Sequence, residues 1–283
     1  MKSLGESIPP TVMGHMSHYQ PSDSLRYSLV ERTYRMAWST TALPSIFKAS
    51  SMIIVLTPLE AEEMVTMGAS PDFMHLFPGG LDDFAELVDR ADARSFREKY
   101  GIPEDARVVA YLGTVEYRKN PLAVAKIARH FKDRRDVFFV VAGRLGDQWE
   151  EVKRAVRGLR NIVLIGELRD DEKVVLVKTS YLNIIMSLME DFGLTQLEFM
   201  YGGVPVVTSA VYGQKWLVRN GVDGVHVNGP DDVNGAASAI EALLKDEEKW
   251  KEMSRNARKR ARGFLFSKLM RELVERARAA LGK

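Results

Sequence analysis

From Arg107 onward the chain alternates between short apolar runs and longer stretches whose apolar residues recur every three to four positions. The apolar runs lie at 107–112, 137–142, 161–165, 181–186, 204–208 and 225–227. They have strand length and little polar alternation, the pattern of strands buried on both faces. Helical spacing fills 121–133, 148–158, 170–178, 193–201, 214–220 and 231–245. This order predicts an α/β domain with a parallel sheet covered by helices on both sides. Ligands in such sheets sit beyond the carboxyl ends of the strands. That singles out the loops after 107–112 and 181–186.

The first hundred residues carry a weaker pattern. Pro9-Pro10-Thr11-Val12-Met13-Gly14-His15 reads as a short strand ending at a histidine. Residues 22–38 have helical spacing, with Leu25, Leu29 and Tyr34 as inward positions. A buried strand is expected at 52–56. A helix then runs from Pro58, at its first position, through Met67, and Gly68 ends it. The helix at 93–100 and the Gly101-Ile102-Pro103 turn read as a linker, with the domain boundary near residue 100. Residues 250–283 form an Arg-rich helical tail interrupted at Phe264-Leu265-Phe266-Ser267. Its Arg271, Arg276 and Arg278 alternate with Glu272 and Glu275, which favours a solvated face over a basic helix lying on anionic lipid.

Composition narrows the classes. The 283 residues are 46% hydrophobic and 28% charged, ordinary for a globular chain with a sizeable core. Forty Lys plus Arg face 38 Asp plus Glu, so charge provides no argument for a nucleic-acid partner. The absence of cysteine excludes disulfides, thiolate metal sites and a cysteine nucleophile. No apolar run approaches membrane-spanning length, and the N-terminus lacks a signal-peptide core. A cytoplasmic protein is expected, with peripheral contact at a membrane surface left open.

Candidate chemistry gathers at Met186-Ser187-Leu188-Met189-Glu190-Asp191-Phe192-Gly193-Leu194-Thr195-Gln196-Leu197-Glu198, followed by Gly203-Val204-Pro205-Val206-Val207. Glu190 stands where the strand gives out, and Glu198 lies eight positions on, within a helix. Both carboxylates can border one cleft, and the free N–H groups of the helix's first turn attract phosphate there. A second cluster, Gly113-Thr114-Val115-Glu116-Tyr117-Arg118-Lys119-Asn120-Pro121, follows the strand at 107–112. Its glycine lets a phosphate approach the backbone, and Arg118 and Lys119 can offset the charge. Gly143-Arg144 ends the next strand, either at the cleft or as a surface arginine.

The Glu190 stretch resembles the E-x7-E signature of retaining glycosyltransferases with the GT-B fold, especially glycosyltransferase family 4. The family pattern runs P-S-x-x-E-G-F-G-L-P-x-x-E-A-M, then G-x-P-V-V. Ser187, Glu190, Phe192, Gly193, Leu194, Glu198, Met200, Gly203, Pro205, Val206 and Val207 match it; Met186, Asp191, Thr195 and Phe199 depart. The Gly113 loop resembles the family's G-T-L-x-x-R-K-N form. Phe77-Pro78-Gly79-Gly80-Leu81-Asp82-Asp83-Phe84 resembles P-N-G-V-D-x-x-F, with Gly79 for Asn at a turn where both tolerate positive φ. The segment ending at His15 is similar to P-x-V-x-x-x-H, with His18 as competitor.

The resemblance implies a Rossmann-like parallel sheet at 101–283, the C-terminal domain of a GT-B fold, with a last helix crossing back. Residues 1–100 would be a partial N-terminal α/β domain on the acceptor side, and the resemblance stops before its first strands. The implied activity moves a hexose from a nucleotide diphosphate sugar to a carbohydrate or lipid-linked hydroxyl acceptor, with retention. Glu190 and His15 would be catalytic. Lys119, Arg118, Gly113 and Thr114 would serve the diphosphate, and the backbone at Phe192, Gly193, Leu194 and Thr195 would cradle it. Glu198 would hold the ribose. The nucleotide sugar is a substrate; no further cofactor and no metal are expected, since no D-x-D pair is evident. The alternative is a non-catalytic binding half, or a fragment, that needs a separate chain. In that case apolar surface around 52–56 would invite self-association or a partner. Trp216 stands where the family has a glutamate, which predicts a changed wall of the sugar or base pocket.

Overall fold

The computed structural model describes residues 12–13 and 38–280. The segment containing His15 and His18, and all but the last residue of the helix expected over 22–38, lie outside the described residues. Two compact units divide the chain. One holds the described residues through Gly79 together with the last helix; the other spans Gly80–Leu265.

In the first unit, β1 (Val12–Met13), β2 (Met52–Val55) and β3 (Met74–Leu76) form a parallel sheet in that order. Helices α1 (Leu43–Ala49) and α2 (Pro58–Thr66) supply its cover. Thr57 caps α2 by accepting from Glu60 N–H, and the Glu60 carboxylate reaches back to Leu56 N–H at 2.6 Å. This reciprocal pairing satisfies two donors that the first turn leaves open. Ile53 and Val55 pack with Leu43, Phe47, Met64 and Ala69. The exposed apolar surface expected around 52–56 is therefore not there: Met52, Ile53 and Val55 are buried, the last two against side chains of α1 and α2. Gly79 takes φ 83°, the positive value expected at that turn.

The second unit begins with α3 (Asp83–Arg90) and α4 (Arg94–Tyr100), followed by β4 (Arg107–Leu112), α5 (Pro121–His130), β5 (Val137–Ala142), α6 (Trp149–Ala155) and β6 (Ile162–Ile165). Then come α7 (Asp170–Thr179), β7 (Ser180–Ile185), α8 (Leu194–Tyr201), β8 (Val206–Thr208), α9 (Gly213–Leu217), β9 (Gly224–His226), α10 (Val233–Lys245) and α11 (Glu247–Ala261). The final helix, α12 (Phe266–Ala280), belongs to the first unit, where the Phe266 ring meets Phe77 edge to face at 6.1 Å.

The strands form one parallel sheet in the order β6-β5-β4-β7-β8-β9. Its alternation sorts residues to two cores. Val109, Tyr111, Phe139, Val141, Leu182 and Ile184 face one side with α5 and α10. Val108, Ala110, Leu112, Phe138 and Val140 face the other with α7, Phe199, Val88 and Phe96. Val88 and Phe96 come from α3 and α4. Both helices, of which the sequence reads the second as a linker to a boundary near 100, pack on the second sheet.

Candidate functional site

Beyond the carboxyl ends of β4 and β5 lies a cleft of about 280 Å³. Three strand-end loops and two helices line it. Leu112, Gly113 and Thr114 leave β4, Gly143 and Arg144 leave β5, and Glu167 and Leu168 follow β6. Lys173 enters from α7, and Thr195 and Glu198 from the first turns of α8.

The glycines are where the backbones crowd. Gly143 has φ 140°, and a Cβ there would stand 2.0 Å from the Gly113 carbonyl oxygen. No larger residue fits without moving the β4 loop. The loop is tied down by Gly113 N–H to the Ala142 carbonyl and Val115 N–H to the Arg144 carbonyl, at 3.0 and 2.9 Å. Tyr111 adds a third tie, its hydroxyl donating to the Thr114 carbonyl at 2.8 Å. Burial pushes that phenol far above its ordinary pKa, and the Glu116 and Glu190 charges add to the rise.

Gly193 opens α8 in the left-handed region at φ 101°, where a Cβ would strike Gln196 Oε1. Thr195 and Glu198 thereby turn toward the cleft. Glu198 accepts no hydrogen bond among the described residues, and burial raises its pKa to about 7, against the opposing pull of Lys173. Lys173 is committed to Asp170 at 2.8 Å, and that bond raises its own pKa.

The two sequence-predicted clusters meet. Lys119 Nζ and Glu190 Oε2 lie 2.5 Å apart, with side chains 20% and 16% exposed. Leu188 N–H donates to the Arg118 carbonyl at 2.8 Å, so the two loops are joined by backbone as well. Arg118 points to Glu116 at a longer 3.5 Å. Of the residues expected to bind the donor, Gly113, Thr114, Thr195 and Glu198 line the cleft; Arg118, Lys119, Phe192, Gly193 and Leu194 do not. Phe192 is buried beneath the loop and Leu194 is exposed. Trp216 does not line this cleft either: it packs behind Phe192, with ring centroids 6.0 Å apart. Glu167, Leu168 and Lys173 were missed in the sequence. The signal was present, since Glu167 and Leu168 directly follow β6, but Lys173 read as one more cation on an amphipathic helix. Among the described residues no group of three or more His, Asp or Glu is placed to hold a metal. No helix there is long and apolar enough to cross a membrane.

Residues 92–260 match the family model described as glycosyl transferases group 1. D-inositol 3-phosphate glycosyltransferase 1 of Catenulispora acidiphila is 28% identical over 250 residues, covering 84% of this chain and 59% of the relative. The D-inositol 3-phosphate glycosyltransferase of Xylanimonas cellulosilytica is 29% identical over 230 residues, covering 77% and 54%. The chain thus spans a little over half the length of these curated relatives. Among solved structures, Anabaena HepE in complex with UDP superposes with a TM-score of 0.80 at 18% identity, over 95% of this chain and 72% of that one. Sucrose-phosphate synthase from Thermosynechococcus elongatus gives 0.73 at 21% identity, over 95% and 68%. At these identities the structural likeness speaks to the fold, the GT-B arrangement of parallel α/β sheets.

Proposed function

This chain belongs to the glycosyl transferases group 1 family, and on that premise we propose that it moves a hexose from a nucleoside diphosphate sugar to a hydroxyl acceptor with retention. Glu198 is the observation that carries this reading. It is a half-buried carboxylate that meets no hydrogen-bond donor among the described residues, in a cleft bordered by a glycine loop and a helix start. Such a group is costly until something donates to it, and the paired hydroxyls of a ribose do so.

The other roles follow from position. Lys119 neutralises the diphosphate, with Arg118 as the second cation near the loop. Gly113 and Thr114 let the backbone approach, and the N–H groups of Gly193, Leu194 and Thr195 take the phosphate oxygens at the helix start. Phe192 anchors that turn from below. In the structure Lys119 and Glu190 neutralise each other. An arriving diphosphate draws Lys119 away and leaves Glu190 to the sugar. There it binds hydroxyls or stabilises positive charge as the leaving group departs. A role for His15 beside the donor sugar rests on the family resemblance alone.

Calorimetric titration with UDP, GDP and ADP sugars tests the reading. HepE was solved with UDP, so uridine is the first base to try. The relatives' names make D-inositol 3-phosphate the first acceptor, alongside carbohydrate and lipid-linked hydroxyls. Binding with turnover supports transfer by this chain. Binding without turnover supports a second reading, a donor-binding half completed by another chain. No binding of any nucleotide sugar refutes both.

A further inference from the structure

The loop that carries Glu190 is braced from behind by a segment to which the reading above gives no part. Gly213 N–H donates to the Glu190 carbonyl at 3.0 Å, and a Cβ on Gly213 would fall 2.0 Å from the Asp191 carbonyl oxygen. Ser209 Oγ donates to the Ser187 carbonyl at 2.7 Å. Between these ties, Ala210 and Tyr212 sit at φ 55° and 46°, a region costly for residues with side chains, so neighbouring contacts must hold them there.

Phe192 is the loop's inward anchor. Its ring lies 6.0 Å from Trp216 and 5.6 Å from Phe264, and the latter two meet edge to face at 5.5 Å. Arg260 closes the cluster. Its guanidinium stands 5.2 Å from the Trp216 ring and 4.9 Å from the Phe264 ring, and it donates to the Trp216 and Leu217 carbonyls at 3.0 and 3.3 Å. A planar, forked donor can stack and bond at once, which lysine cannot do.

We propose that Trp216, clamped by Arg260, is a positioning residue for the reaction at Glu190. It fixes Phe192, and through Phe192 the direction in which the Glu190 carboxylate and the Gly193–Thr195 N–H groups meet the donor. Group transfer is sensitive to small errors of placement, so a residue behind the loop acts on turnover more than on nucleotide affinity. The proposal rests on the donor reading of the cleft.

Hydrogen exchange on the ligand-free chain tests the brace without any donor. Trp216→Leu should speed exchange of amides 190–195 about tenfold, because two ring contacts and a cation–π contact are lost, and leave β4 and β5 unchanged. Trp216→Phe should restore most of the protection, and Arg260→Lys should fall between. No change at 190–195, or equal loosening throughout 80–265, overturns the proposal. With UDP-glucose as probe, Trp216→Leu should lower turnover about tenfold while UDP affinity stays within about twofold. Equal losses of turnover and affinity also overturn it. A wild-type chain that binds no nucleotide ends the donor reading and leaves the exchange result to decide the brace.

Discussion

The two ends of the Glu190–Glu198 segment handle negative charge in opposite ways. At Glu190 the loop is met by Lys119 at 2.5 Å, a partner 71 positions away in sequence. At Glu198, on the helix, no donor arrives from the described residues, and burial lifts the carboxyl to about 7. One end is compensated by the protein, and under the proposed function it gives up its partner when the donor binds; the other end is compensated only by the donor. Two carboxylates of one motif thus stand in different electrostatic settings, and the difference comes from their surroundings.

Substitution at the compensated end should have the largest effect. Glu190→Gln is expected to lower sugar transfer or donor hydrolysis by roughly a hundredfold or more, the scale of removing one charge-stabilising group. Affinity for the nucleoside diphosphate should hold or rise, since Lys119 no longer has a competing partner. A tenfold loss of that affinity would show that the comparison assigns the two carboxylates the wrong way round.

Lys119→Ala should weaken nucleoside diphosphate binding about ten- to hundredfold, as expected for a charge-assisted bond worth about 1.5–3 kcal/mol. Binding of the parent nucleoside should be unaffected. Calorimetry with both ligands decides; parallel weakening points to a disturbed fold.

Glu198 sharpens the contrast through pH. Its folded value of about 7 stands above the ordinary 4.5, so between those values the folded chain holds a proton that the unfolded chain has released. Stability from this group is fully present below about 4.5, falls as pH rises, and stays reduced above about 7. Glu198→Gln should therefore stabilise the ligand-free protein at pH 8 by on the order of 2 kcal/mol, discounted for partial exposure, with the gap closing in acid. Denaturant melts at three pH values measure it. Nucleotide affinity should move the other way, rising in the wild type as pH passes about 7 and staying flat in Glu198→Gln. Affinity independent of pH in the wild type would remove the carboxylate from ribose binding.

The smallest effect is expected at Arg118, about 40% exposed and 3.5 Å from Glu116. Arg118→Ala should change diphosphate affinity by no more than about threefold, because an exposed pair contributes about 0–1 kcal/mol. A larger loss would make Arg118 a principal phosphate ligand and Lys119 chiefly the keeper of Glu190.

Much of this was legible in the residues alone. Strands at 107–112 and 137–142 match the structure to the residue, because a strand buried on both faces is apolar along nearly its whole length, with Arg107 only half-buried at the start of the first. The Glu190–Glu198 motif was legible for a similar reason: a strand end, a left-handed glycine and the first turns of a helix are local, so spacing fixes which groups face outward. Helices at 83–90 and 94–100 were harder to assign. Their inward residues, Val88 and Phe96, show what they bury but not which sheet receives it.

Whatever depends on two distant segments was decided only by the fold. Spacing cannot show that Lys119 spends its charge on Glu190, that Lys173 of α7 lines the same cleft as Glu198, or that Trp216 stands behind Phe192 rather than on a cleft wall. Nor could it show that Ile53 and Val55 are covered by helices of their own unit. Amino-acid order sets the period of each element and the chemistry at its ends. Packing the two faces of the sheet then sets which ends meet, because each face is buried only when helices from distant parts of the chain cover it.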